Sequence, residues 1–228
     1  MTKSLIPIEK NTLSDLAYEE LKKALLSGRF RPGEKILLRD IAKELQISLT
    51  PVRDAVNHLI AERVLDRGPG GQKGGASIPA LSSSQFEQLT ALRADLESNL
   101  ARTAAQRITA GQIQDIERLA QEMKKTMKKG NKSSYLDLHR RFHFSLYDAS
   151  EMDVVKDITE ILWLRCGPAL NAVLPDYVPN LKQRDYHQEA VDALKKGDNN
   201  GVADSIRADI TIAGTYITQL MRQNEQKP

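Results

Sequence analysis

Cysteine is almost missing from this chain. Cys166 is the only one among 228 residues, so no internal disulfide can form. A chain of this length can bury a sizeable core without one, and a cytoplasmic setting is expected. Long apolar runs are missing too. No stretch approaches the roughly 20 apolar residues that a membrane span requires. The opening MTKSLIPIEKNTLS has no apolar core and is not expected to act as a secretory signal. Charge of one sign is also scarce, since the formal net charge is only +3. Its distribution is uneven, however. Residues 1–80 hold 13 Lys and Arg against 10 Asp and Glu, while residues 81–228 hold 20 of each. The whole positive excess therefore lies in the first third, which points weakly to a polyanionic partner there.

With 40% hydrophobic and 28% charged residues, the composition is that of a soluble globular protein. The length allows one large domain or two small ones, and the pattern favours two. Residues 13–27, LSDLAYEELKKALLS, place Leu13, Leu16, Ala17, Leu21, Ala24 and Leu25 on a helical period, with Gly28 as a stop. RPGEKI, residues 31–36, is a Pro-Gly turn. A short helix is expected from Arg39 to Leu45. A second is expected from Pro51 to Arg63, with Thr50 as N-cap and Pro51 in the first helical position. Its buried face would be Val52, Ala55, Val56, Leu59 and Ile60. Two β-prone pieces follow, VLDR at 64–67 and ASIPA at 76–80, around a flexible tip, GPGGQKGG. Three helices and a glycine-rich ribbon have the grammar of a winged helix-turn-helix over residues 1–80.

After Pro79 neither a strand pattern nor a short-period repeat appears. Helices are expected over about 83–108, 110–129, 133–150, 152–174, 178–196 and 199–222. Ser82 with Gln85, and Thr109 with Gln112, have capping-box spacing. Gly167-Pro168 should interrupt and kink the fourth of these helices. The fold class is therefore mainly α: the winged helix-turn-helix, then an all-α bundle of six helices over residues 81–228. That bundle is long enough to enclose a cavity.

The segment LKKALLSGRFRPGEKILLRDIAKELQISLTPVRDAVNHLIAERVL resembles the winged helix-turn-helix of the GntR family of bacterial transcription regulators. Its landmarks are Gly28, Pro32-Gly33, Ile41-Ala42, Leu45, Ser48, Thr50-Pro51-Val52-Arg53, Ala55 and Leu59. The helical part resembles that family's FadR-type, or FCD, effector domain. ALRADLES is similar to its first helix, with Arg93 and Glu97 at the usual spacing. RRFHFSLYDAS and HQEAVDALKKGD are similar to two later helices. Length and helix count resemble the six-helix VanR-like group.

A recognition helix works because its first turn reaches base edges in the major groove. Here that turn is Thr50, Pro51, Val52 and Arg53, preceded by Ser48. Arg53 can donate two parallel hydrogen bonds to guanine, and Thr50 can meet a phosphate or a thymine methyl. The resemblance implies a DNA contact for Arg39. Lys73 sits between glycines at the ribbon tip, where the backbone can approach the minor groove. Leu49 stands where the family usually carries arginine, so an altered operator half-site is expected. His58 reads as packing or a phosphate contact.

His139 and His143, in HRRFH, are four residues apart, about 40° around a helix, so both rings can meet one ion. The same spacing suits an ordinary solvated helix. The resemblance adds two positions. Related effector domains hold a divalent metal with one Asp and three His, the Asp four residues before the first His. Carried onto this chain, the Asp position is His139, the first His is His143, the next is His187, and the last falls at Asp209. Carboxylate and imidazole have thus exchanged places. Such a set suits Zn²⁺, Ni²⁺ or Mn²⁺ without choosing among them. An octahedral ion would keep places for water or an effector carboxylate. Asp137 is a rival carboxylate, but its spacing points it elsewhere. Arg93, Arg165, Asn171 and Tyr216 are candidate effector contacts, and each also fits a structural hydrogen-bonding role.

The expected protein is a ligand-responsive transcription regulator, homodimeric on a two-fold double-stranded DNA operator and switched by a small organic acid, with no membrane partner. Two other classes compete. One is a metal-dependent hydrolase-like domain, against which stand the lack of an evident general base and of a nucleophile motif. The other is a helical domain that only dimerises.

Overall fold

Thr12 and Asp15 start the first helix by capping each other. The Thr12 N–H donates to Asp15 Oδ2 at 2.8 Å, and the Asp15 N–H donates to Thr12 Oγ1 at 3.2 Å. The structure is a computed structural model that describes residues 12–68, 75–128, 132–177 and 184–226, with backbone alone at 128, 132–133 and 172–177. Cα proximity divides the chain into two units: Met1–Ala24 with Gly33–Pro79, and Leu25–Pro32 with Ala80–Pro228.

The first unit contains most of α1 (Leu13–Leu26), then β1 (Lys35–Ile36), α2 (Leu38–Leu45), α3 (Leu49–Ala61), β2 (Asp66–Arg67) and β3 (Ala76–Ser77). Ala17, Leu21, Ile41, Val52, Ala55, Val56 and Leu59 are buried, on the helical periods expected of them. Ile60 is only partly so. Gly28 follows the end of α1 with φ +78°, a backbone that glycine adopts without strain. The strands form a three-stranded antiparallel sheet in the order β1-β3-β2. β1 was not expected, because two residues after a Pro-Gly turn carry no readable alternation.

Several boundaries differ from the sequence reading. α2 begins at Leu38, so Arg39 is its second residue. α3 begins at Leu49, with Ser48 in the N-cap position at φ −68°, ψ 162°. Thr50 is therefore inside the helix and Pro51 is its third residue. Proline is tolerated there for the same reason as at the first position, since the first N–H groups of a helix have no intrahelical acceptor. Gln46 ends α2 in the left-handed conformation, φ 55°, and the Ile47 N–H donates to the Ala42 carbonyl at 3.1 Å. Three residues, Gln46–Ser48, thus turn the chain between α2 and α3. The ribbon tip with Lys73 lies outside the described residues.

The second unit is helical: α4 (Ser83–Ala105), α5 (Ala110–Lys128), α6 (Lys132–Asp148), α7 (Asp153–Tyr177), α8 (Tyr186–Lys196) and α9 (Asn199–Glu225). Both expected capping boxes form. The Gln85 N–H donates to Ser82 Oγ while the Ser82 N–H donates to Gln85 Oε1, and Thr109 and Gln112 repeat the exchange. α7 runs on through Gly167-Pro168, where an interruption was expected. Proline removes one helical hydrogen bond, but the burial of Leu162, Trp163, Leu164, Cys166 and Ala169 along this stretch holds the helix in register. For the fifth expected helix, residues 178–183 lie outside the described part, and α8 begins at Tyr186 behind the Asp185 cap.

α4 and α9 pack antiparallel along their lengths. Ser83 donates from N and Oγ to the Glu225 carboxylate, both at 2.7 Å, and Arg222, Arg207 and Arg102 bond Glu87, Asp95 and Asn200 in succession. Gly214 sets the closeness of this pair. A Cβ there would stand 2.1 Å from Thr90 Cγ2. The core runs inward from α4 through Leu100, Phe142, Leu146, Ala190, Val202 and Ile206, all fully buried.

Candidate functional site

α6, α8 and α9 each turn polar side chains into this otherwise apolar core. His139 and His143 stand one turn apart on α6, His187 lies in the first turn of α8, and Asp209 is near the middle of α9. The rigid cap of α8, in which Asp185 Oδ1 accepts the Gln188 N–H at 3.1 Å, fixes where His187 enters. The four residues converge. His187 Nε2 is 3.3 Å from His143 Nε2. Asp209 Oδ2 lies 3.5 Å from His143 Nε2, 3.7 Å from His187 Nε2 and 3.8 Å from His139 Nε2. One ligand atom from each residue falls within 4.8 Å of all the others.

Metal bonds of about 2.1 Å would put neighbouring donors about 3.0 Å apart in an octahedron and about 3.4 Å apart in a tetrahedron. The 3.3, 3.5, 3.7 and 3.8 Å separations lie at or just outside those values and every pair lies within 4.8 Å, so the four residues could hold one ion. The protonation states fit as well. Burial, with help from the neighbouring imidazoles, pushes His143 down to about 3, and burial lowers His187 likewise. Burial by itself would raise Asp209, but the imidazoles around it hold its carboxyl well below the usual carboxylate range. At neutral pH His143 and His187 thus offer neutral rings and Asp209 an anionic oxygen, which are the forms that ligate. Asp137 points elsewhere, as its spacing suggested; it is exposed and 3.7 Å from Arg141.

A cavity of about 310 Å³ adjoins the cluster. His187 and Asp209 form one wall, Met123 and Met127 of α5 an apolar one, and Lys124, Tyr135 and Arg184 add polar groups. Arg184 is engaged by both oxygens of Glu189 at 2.9 Å. Lys124 stands 3.6 Å from Asp185.

The four effector candidates do not line this cavity among the described residues. Arg93 is buried, donates from Nε to Glu97 at 2.7 Å and lies 4.4 Å over the Trp163 ring. Asn171 donates to the Leu25 and Leu26 carbonyls at 3.3 and 3.2 Å. Tyr216 packs against the Phe86–Ile217 cluster. Arg165 keeps a buried Nε with no protein acceptor among the described residues. The residues the sequence reading missed are Tyr147 and Trp163. Tyr147 continues the four-residue series His139, His143, Tyr147 along one face of α6, and that series was readable. The proximity of Trp163, 5.3 Å from the His143 ring, depends on how α7 packs and was not.

In the first unit, Arg39, Ser48, Thr50 and Arg53 are exposed, and Pro51 and Leu49 partly so. Thr50 and Arg53 lie in the first turns of α3, with Asp54 and Asn57 exposed beyond them. His58 does not project from this surface alone. Its ring stacks on Tyr18 at 4.5 Å and faces Glu62 at 3.5 Å, and Glu62 also accepts the Tyr18 hydroxyl at 2.8 Å. It packs on Tyr18, one of the two roles expected, while its side chain stays 60% exposed.

Residues 13–72 match the family model for bacterial regulatory proteins of the gntR family, and residues 88–211 match that for the FCD domain. This chain belongs to the GntR family of bacterial regulators that carry an FCD domain. Among curated relatives of this GntR protein is the HTH-type transcriptional regulator McbR of Escherichia coli, 26% identical over 190 residues, covering 80% of this chain and 82% of McbR. The Nta operon transcriptional regulator of Aminobacter aminovorans is 33% identical over 141 residues, 59% of this chain and 64% of that one. The fold is shared with the solved structure of E. coli McbR/YncC, at a TM-score of 0.84 and 22% identity over 93% of this chain and all (100%) of the other. A GntR regulator from Rhodococcus sp. RHA1 superimposes with a TM-score of 0.72, at 17% identity, over 90% of this chain and 96% of its own. With both domains present, the protein is a ligand-responsive, DNA-binding transcriptional regulator. No helix among the described residues is long and apolar enough to cross a membrane.

Proposed function

We propose that this regulator carries a divalent ion on His139, His143, His187 and Asp209, and that a small organic acid binds beside it from the adjoining cavity. The gathering of one ligand atom from each of three histidines and Asp209, all within 4.8 Å of one another, supports the reading most strongly. The bound ion supplies a fixed positive charge to which an anionic donor can attach. The chain's own residues do the rest. Asp209 offsets part of that charge, Met123 and Met127 receive the apolar body of the acid, and Lys124 adds a second cationic contact at the rim. Zinc, nickel and manganese all accept this donor set.

In the first unit, Arg53 reads guanine from the start of α3, with Ser48, Thr50 and Pro51 lining the same turn and Lys73 reaching the minor groove. Arg39 contacts the backbone of the duplex. A cytoplasmic homodimer would set two such helices on a two-fold operator. The acid changes operator affinity only so far as it prefers one arrangement of the protein over another, and a coupling of about 1–3 kcal/mol would give roughly 5–150-fold regulation. No role in catalysis is proposed, and the relatives that match are transcriptional regulators.

Elemental analysis of the purified protein tests the site. Near-stoichiometric divalent metal is expected in the parent chain, and its loss in His143→Ala. Equal metal content in the two would refute this ligand set.

A further inference from the structure

Behind His143, on the side away from the cluster, lies a buried polar chain that the site as described does not use. Glu97 of α4 is fully buried and accepts three hydrogen bonds. Its Oε1 accepts from Arg93 Nε at 2.7 Å. Its Oε2 accepts from Trp163 Nε1 at 2.9 Å and from the Tyr147 hydroxyl at 2.7 Å. The same hydroxyl stands 2.8 Å from His143 Nδ1. Tyr147 and His143 are both fully buried, so neither can turn to water instead.

The positions of the protons follow by counting. A carboxylate ion-paired with Arg93 has no hydrogen to give, so the single Tyr147 proton goes to Glu97. That leaves the Tyr147 oxygen with lone pairs alone toward His143. Nδ1 must then be the donor in the 2.8 Å contact, because two facing lone pairs inside a protein would repel without a compensating bond. A neutral imidazole carries one proton, so Nε2 is left with its lone pair. Nε2 is the atom that faces His187 and Asp209 at 3.3 and 3.5 Å.

We infer that Glu97 and Tyr147 are positioning residues that hold the proton of His143 on Nδ1, so that Nε2 is kept as the ligating atom. The inference rests on the proposed metal reading for its purpose, though not for its geometry. It assigns Arg93 a structural role: its guanidinium neutralises Glu97, and its face packs on Trp163, whose N–H completes the carboxylate's shell. A hydrogen bond from the distal nitrogen also makes a ligating imidazole more basic. The chain therefore ties α4 and α7 to the strength of a ligand on α6.

Imidazole ¹⁵N NMR of the full-length protein, labelled at histidine, tests this directly. His143 is assigned by its disappearance in His143→Ala. In chelator-treated protein its long-range proton correlations should show Nδ1 protonated, and added Zn²⁺ should shift Nε2 while Nδ1 keeps its proton. A proton on Nε2 in the chelated protein would overturn the inference. Nδ1–H with no response to Zn²⁺ would support the inference and count against the metal reading alone. The variant Tyr147→Phe supplies a second measure. Zn²⁺ affinity, by competition with a chromophoric chelator, should weaken about 10–100-fold while circular dichroism stays that of the parent. Unchanged affinity in a folded Tyr147→Phe would also overturn the inference, and if that variant does not fold, the spectrum of the parent decides.

Discussion

Asp209 and His139 face each other at 3.8 Å across the cluster, and they are where this chain departs from the pattern it resembles. That pattern has a carboxylate at position 139 and an imidazole at position 209. An ion samples donor atoms and total charge, and is indifferent to which helix delivers them, so the exchange preserves three nitrogens, one oxygen and one negative charge. The double variant His139→Asp with Asp209→His should therefore bind metal about as well as the parent. The single variant His139→Asp, with two carboxylates, should shift its preference from zinc toward the harder manganese. Quenching of Trp163, the only tryptophan and 5.5 Å from the His139 ring, reports binding of a paramagnetic ion. A double variant that binds worse than either single one would show that position matters beyond donor type. At this scale much of the site was legible. His139 and His143 share a face by helical spacing, which an ordinary solvated helix would also give. His187 and Asp209 come from separate helices, and only resemblance to a family brings them in. The contacts of Arg93, Asn171 and Tyr216 were beyond reach, because each is decided by what packs opposite.

The elements were legible where local chemistry is self-sufficient. Both capping boxes formed as the spacing implied, since their partners lie within one turn and need nothing from the rest of the fold. Readings failed where tertiary packing outweighs local preference, as at Pro168, or where the element is too short to show a period, as at β1. Gly214 is a further case. In a helix interior glycine costs about 1 kcal/mol relative to alanine, so sequence alone would suggest that alanine is better. The approach of α4 reverses the sign. An added Cβ at 2.1 Å from Thr90 Cγ2, with Thr90 Cβ itself only 3.0 Å away, forces the two helices apart. Overpacking of this kind costs about 1–3 kcal/mol and here outweighs the gain in helix propensity. Gly214→Ala should lower the urea midpoint, and adding Thr90→Ala should recover most of the loss. A Gly214→Ala protein more stable than the parent would mean that α4 and α9 do not approach this closely.

At the scale of the whole molecule, the two proposed functions lie in separate stretches of sequence. The positive excess is confined to residues 1–80, while the imidazole cluster belongs entirely to the helical unit. This separation makes the DNA-reading proposal testable without disturbing the metal site. Arg53 is exposed near the start of α3, so truncating it should leave the fold intact. A bidentate arginine–guanine contact contributes about 1–3 kcal/mol of discrimination, and a two-fold dimer makes it twice. Arg53→Ala should therefore lose about 2–6 kcal/mol of operator preference, enough to abolish specific binding in a gel shift. Weak, salt-sensitive binding to unrelated DNA should survive, because the remaining basic groups still meet phosphates. The same preparation should hold as much metal as the parent. Retention of full operator affinity would remove Arg53 from the interface. Loss of both DNA binding and metal would mean that the substitution had damaged the fold, which circular dichroism of the same sample would reveal. Leu49, one turn before Arg53 on α3, brings an aliphatic side chain to the face proposed to meet DNA, so Leu49→Ala should cost far less operator affinity in the same gel shift than Arg53→Ala does.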